Sequence, residues 1–120
     1  MAKHLETGQS GELVALHYIE NLGYKILARN WRYKHLEVDM IAMDGPVLLF
    51  IEVKTRRSSS YGLPYEAVNY QKQKQLDRAA NLYISYSKHE GEIRFDIVSV
   101  LMDGSNNYQI EHIKDAFWPE

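Results

Sequence analysis

The chain has 120 residues, 14 Lys/Arg against 16 Asp/Glu for a formal net charge of −2, and 45% hydrophobic and 25% charged side chains. That is ordinary globular usage for one domain, long enough to bury a core without a staple, and it argues against disorder and a fibrous architecture. The absence of cysteine removes disulfides, thiolate metal sites and a cysteine nucleophile together. A polar N-terminus and a longest apolar run of only Val47 to Ile51 lead us to expect no secretory signal, no membrane span and a cytoplasmic protein.

The first predicted element is a helix from Ser10 to Leu22. Leu13, Leu16, Ile19 and Leu22 recur at three-to-four-residue spacing, Val14, Ala15 and Tyr18 broaden the apolar face, and Gly23 follows as a helix-ending glycine. Tyr24 to Tyr33 is the first predicted strand. Leu36 to Met43 is the second, with Leu36, Val38, Met40 and Ala42 alternating with Glu37, Asp39, Ile41 and Met43. Asp44-Gly45-Pro46 signals a turn. Val47 to Lys54 then reads as a central strand, because its apolar run is nearly continuous. A serine-rich loop over Arg56 to Gly62 leads into a helix from Tyr65 to Tyr86, whose apolar side is Val68, Leu76, Ala79, Ala80, Leu82 and Tyr83. Glu92 to Met102 is the next strand, Asp103 to Asn107 a loop, and Tyr108 to Ile113 a last strand. The order α-β-β-β-α-β-β predicts an α/β protein, a mixed central sheet flanked by helices in a single domain over residues 1–120.

The candidates for chemistry are Asp39 and Glu52-Val53-Lys54, provided the strand register brings them together. Both carboxylates lie on predicted strands joined by a tight turn. Period-two geometry puts Glu52 and Lys54 on one strand face and Glu37 and Asp39 on one face of the neighbour. Two carboxylates with the Val53 backbone carbonyl can hold Mg²⁺ or Mn²⁺, which supplies a Lewis acid for phosphodiester hydrolysis, and a nearby lysine can position the attacking water. Glu12 enters from the first helix as a further ligand or water-orienting group. The competing explanation is a charged rim in which Glu52 or Asp39 simply pairs with Lys54, and a Glu in a first helical turn also suits the helix dipole.

The charge distribution bears on partners. Residues 54–78 hold six Lys/Arg against Glu66 and Asp77, a local +4, which leaves −6 elsewhere. Arg56 and Arg57 follow the candidate strand, and Gln71, Lys72, Lys74 and Arg78 could track a nucleic-acid backbone along the second helix; a solvated helix face gives the same count. Trp31, Tyr33, Tyr61 and Tyr65 could stack on bases, although strand aromatics more often pack in cores. Asp96, inside an apolar strand, reads as a structural hydrogen-bonding acid.

Several segments resemble the PD-(D/E)XK nuclease superfamily and, more narrowly, the YraN family of small bacterial proteins. They are Gly8-x-x-Gly11-Glu12, Ala28-Arg29-Asn30-Trp31-Arg32, Glu37-Val38-Asp39, Phe50-Ile51-Glu52-Val53-Lys54-Thr55-Arg56, and Arg94-Phe95-Asp96-Ile97-Val98. The resemblance spans nearly the whole chain. It implies a restriction-endonuclease-like core similar to archaeal Holliday-junction resolvases, with Glu12, Asp39, Glu52 and Lys54 as the catalytic set. One position departs: Leu36 stands where the family usually has glycine, which bears on the backbone near Asp39. The expectation is a metal-dependent DNA endonuclease, acting on branched or structured DNA, without a small-molecule cofactor and as a homodimer. Two alternatives keep the same residues: a catalytically weak nucleic-acid-binding module within a DNA-processing complex, and a structural protein whose carboxylates form a salt-bridge network.

Overall fold

The computed structural model describes residues 7–57, 68–102 and 107–118, with side chains from residue 11 onward. In chain order the elements are α1 (Thr7–Asn21), β1 (Lys25–Tyr33), β2 (Leu36–Asp44), β3 (Val47–Arg56), α2 (Tyr70–Ser87), β4 (Ile93–Met102) and β5 (Tyr108–Ile113). The five strands form one mixed sheet in the order β1-β2-β3-β4-β5. β1, β2 and β3 form an antiparallel meander, β3 and β4 run parallel with α2 as the crossover between them, and β5 returns antiparallel to β4. This is the α/β architecture and element order read from the sequence. No helix among the described residues is long and apolar enough to cross a membrane.

Hydrophobic patterning decides which helix covers which face. On β3, Leu49, Ile51 and Val53 pack with Ala15, Leu16 and Ile19 of α1. Leu48 and Phe50, on the alternate positions, pack with Leu76, Ala79, Ala80 and Tyr83 of α2. A strand covered on both faces has to be apolar at successive positions, hence the unbroken run from Leu48 to Ile51. Glu52 and Lys54 continue the row of Leu48 and Phe50 and therefore face α2. The turn between β2 and β3 uses Gly45 at φ +58°, a left-handed conformation that glycine adopts without strain.

Strand bounds differ from expectation by one or two residues, and the helices differ more. α1 begins at Thr7 rather than Ser10. Its buried hydrophobic residues are Ala15, Leu16 and Ile19, while Leu13 and Leu22 are exposed: the sheet accepts a narrow stripe, and small Ala15 lets the helix lie close. α2 begins at Tyr70, because Asn69 is extended and its side chain accepts the Lys72 amide at 2.9 Å, capping the first turn. The predicted helical residues 65–67, the loop residues 58–62 with Tyr61, and 103–106 lie outside the described residues.

Candidate active site

The site lies where β2 and β3 stop pairing. Their register runs from Asp44↔Val47 to Met40↔Ile51; one step further would set Asp39 opposite Glu52. Beyond that point the Asp39 side chain takes over from the backbone, its Oδ2 accepting the Val53 amide at 2.8 Å. β2 also turns over here. Val38 belongs to the α2-side core and Met40 to the α1-side core, although residues two apart on a regular strand share a face. On β1, Trp31 pairs with Val38 and Arg29 with Met40, and the intervening Asn30 has φ +51°. The irregularity is therefore shared by two neighbouring strands. It releases Asp39 from regular alternation and aims it at β3, so Glu37 and Asp39 do not share a setting as period-two geometry predicts. Glu37 is exposed and pairs with Arg32 at 3.2 Å.

Glu52 is the most constrained of the candidate acids, with 5% of its surface exposed. Its Oε2 lies 3.6 Å from Lys54 Nζ and 3.8 Å from Lys72 Nζ, ion-pair distances too long for hydrogen bonds. Its Oε1 is buried and has no hydrogen-bond partner among the described residues. Burial first, and then the neighbouring Asp39 charge, push the Glu52 carboxyl up from 4.5 to about 7, with Lys72 and Lys54 pulling the other way. Burial also raises Asp39, opposed by the Val53 hydrogen bond and by Lys72. Two carboxylates thus sit together under desolvation with incomplete neutralisation.

Glu12 joins from α1. Gly11 lies so close to β3 that a Cβ there would collide with the Thr55 side chain, and this approach brings the second turn of α1 to the site; with the helix starting at Thr7, Glu12 does not stand in its first turn. The Glu12 carboxyl is raised by burial and then by the Asp39 charge, with Arg29 opposing. Among the described residues no group of three or more His, Asp or Glu side chains is arranged to hold a metal ion. The side-chain donors on offer are therefore the Asp39–Glu52 pair, with the backbone beside it. That suits Mg²⁺, which keeps several waters and is commonly bound through one or two carboxylates. The partnerless, buried Oε1 of Glu52 is the kind of atom that a cation would satisfy.

The nucleic-acid candidates divide. Lys72, expected to track a nucleic-acid backbone along the second helix, is half-buried and pairs with Glu52. A cation in the first turn of a helix opposes the macrodipole, but a helix read from Tyr65 puts Lys72 two turns in, so no sequence signal set it apart. Lys74 stands 5.1 Å from the Tyr70 ring centroid. Gln71, Arg78 and Arg57 are exposed, and Arg56 is half-buried at the end of β3. Asp96 is a structural acid, away from Glu52 on the α1 face of β4. It accepts Arg94 Nε at 2.9 Å, the Asp115 amide at 3.0 Å and His112 Nε2 at 2.8 Å. Tyr18 Oη in turn meets His112 Nδ1 at 3.0 Å.

Fold and site together define an α/β protein with a five-stranded mixed sheet and a buried carboxylate pair flanked by two lysines. The chain belongs to the Uncharacterised protein family UPF0102, the YraN family, whose profile matches residues 11–100. Relatives described as UPF0102 protein include one from Chlorobium chlorochromatii, 45% identical over 96% of this chain and 93% of its own. Another, from Bacteroides thetaiotaomicron, is 42% identical over 99% and 98%, and one from Rhodococcus opacus is 42% identical over 98% and 100%.

Proposed function

We propose that this protein is a metal-dependent DNA endonuclease, hydrolysing phosphodiesters at the site formed by Glu12, Asp39, Glu52 and Lys54. The observation that carries the reading is Glu52: a buried carboxylate with one oxygen that has no partner among the described residues, beside a second carboxylate, on a strand that also bears a lysine. A purely structural salt bridge would leave neither the orphan oxygen nor the repulsion with Asp39. Asp39, Glu52 and the Val53 carbonyl would hold Mg²⁺ or Mn²⁺, which when bound supplies a Lewis acid and neutralises charge on the phosphate. Lys54 carries a positive charge at the mouth of the site, where it orients a water toward phosphorus and balances the developing negative charge. Lys72 opposes part of the rise that burial and Asp39 impose on the Glu52 carboxyl. Glu12, brought to the site by the Gly11 contact, orients the water from the α1 side.

The test is cleavage of labelled linear, flapped and four-way-junction DNA with Mg²⁺ or Mn²⁺, wild type beside Asp39→Ala and Lys54→Ala. Cutting by wild type and by neither variant is the expected result. Equal silence from all three, with DNA still shifted in a gel, would replace the reading with a binding module. Neither cutting nor binding would leave the carboxylates structural.

A further inference from the structure

Away from the carboxylates, the α2 face of the sheet carries a cleft of about 530 Å³ between edge strand β1 and the C-terminal half of α2, within the usual range of ligand clefts, about 300–1,000 Å³. Its walls are aromatic. Trp31 and Tyr33 come from β1, Tyr83 and Tyr86 from α2. Trp31 meets Tyr83 edge-on with centroids 5.9 Å apart, and Tyr83 meets Tyr86 at 6.2 Å. The inner rings are anchored in the core through Phe50, whereas Tyr86 is 81% and Tyr33 48% exposed. Open aromatic faces on a rigid base are what stacking needs, and what a soluble surface otherwise avoids.

The charge on β1 names the occupant. From Lys25 to His35 the chain has Lys25, Arg29, Arg32 and Lys34 and no Asp or Glu; of these Arg32 lines the cleft and Lys34 lies beside Tyr33, whereas Arg29 acts on Glu12 at the carboxylate site. Lys34 Nζ lies 5.6 Å from the Tyr33 ring centroid. Arg32 pairs with Glu37, both well exposed, and such a pair holds its charge loosely. Cations on an edge strand also discourage aggregation, but that leaves the exposed tyrosines unexplained. A second copy fits poorly, because pairing β1 with another β1 would set like charges against one another. An anionic backbone carrying flat, unpaired bases fits both features.

We propose that this cleft binds unpaired bases of single-stranded DNA, stacked on Tyr33 and Tyr86, with their phosphates on Arg32 and Lys34. The proposal rests on the nuclease reading in naming DNA as the ligand. It deepens that reading by making the substrate a DNA with a single-stranded segment beside the cut. The placement suits this. Trp31 is paired with Val38, the residue before Asp39, one interstrand spacing of about 4.8 Å away. Tyr86 is fourteen residues along α2 from Lys72, about 21 Å at 1.5 Å per residue. Cleft and carboxylates therefore lie along one face of the molecule.

The experiment is a titration of the full chain with a short oligodeoxythymidylate in EDTA, read by Trp31 fluorescence in a Trp118→Phe background, beside a blunt duplex. Trp31 fluorescence is quenched, affinity falls with salt, and Tyr33→Ala and Tyr86→Ala each weaken oligonucleotide binding about tenfold while duplex binding stays unchanged. No quenching, or variants that bind as wild type, overturns the proposal. So does a concentration-dependent dimer in sedimentation that Tyr86→Ala abolishes, which would give the cleft to a second copy. Asp39→Asn keeps oligonucleotide binding. Binding in a protein that never cuts sinks the nuclease reading alone, and cutting without cleft binding sinks this one alone.

Discussion

The Asp39 carboxylate accepts the Val53 amide at 2.8 Å, so one oxygen of a candidate metal ligand also holds the strand that carries Glu52 and Lys54. Structure and chemistry are fused in that residue, and conservative substitution can separate them. An Asn side chain still offers a carbonyl oxygen to the amide; an Ala offers nothing.

Asp39→Asn is therefore expected to keep wild-type thermal stability but lose metal-dependent cleavage. Asp39→Ala leaves the Val53 N–H without its acceptor and costs about 1–3 kcal/mol in addition. Denaturant unfolding alongside the cleavage assay checks both. An Asp39→Ala protein as stable as wild type would show that the bond carries no weight.

For Glu52 the sign follows from a folded pKa of about 7 against 4.5. The native state binds the proton more tightly than the unfolded chain, so stability is greatest below 4.5 and is lost as pH rises toward 7. The loss is at most about 3 kcal/mol. Glu52→Gln removes it, and raises the melting temperature at pH 8 more than at pH 5. Mg²⁺ binds the ionised form, so it should stabilise wild type more at pH 8 than at pH 5 and leave Glu52→Gln unmoved. Thermal scans at the two pH values decide this; a Mg²⁺ response identical in wild type and variant would remove Glu52 from the ligand set.

Asp96 has the opposite sign. Burial alone would raise its carboxyl, but hydrogen bonds from His112, Arg94 and the Asp115 amide outweigh burial and hold it below 3.8. Its contribution is present above that value and is lost as pH falls through the lowered one. Asp96→Asn leaves Arg94 and His112 facing an amide and costs about 3 kcal/mol at neutral pH. The gap to wild type should narrow in acid unfolding, and a gap independent of pH would count against the ionic account.

Gly11→Ala places a methyl group against Thr55. Because β3 is central and cannot yield, α1 must shift, at a cost of about 1–3 kcal/mol, and Glu12 shifts with it. Thr55→Ala removes the two nearest atoms and should restore part of the stability in the double variant. A double variant no more stable than Gly11→Ala alone would place the strain elsewhere.

The sequence by itself determined the elements and much of the candidate set. Alternation and helical spacing are local consequences of which face is buried, so the five strands, their order and the continuous core strand were legible in the pattern, as was the Asp39 and Glu-x-Lys constellation. The tertiary structure alone decided how those residues meet. The turnover of β2 at Asp39 depends on β1 and its Asn30, residues nine positions away in the chain. Exposed Leu13 and Leu22 follow from how narrowly α1 beds on the sheet. The entry of Lys72 into the site depends on an Asn69 cap that starts α2 at Tyr70 and on a crossover that lays its first turn over Glu52. Periodicity states which side of a segment is apolar; it does not state which segment lies opposite. Register, helix placement and the desolvation that raises Glu52 arise only when distant parts of the chain share one core.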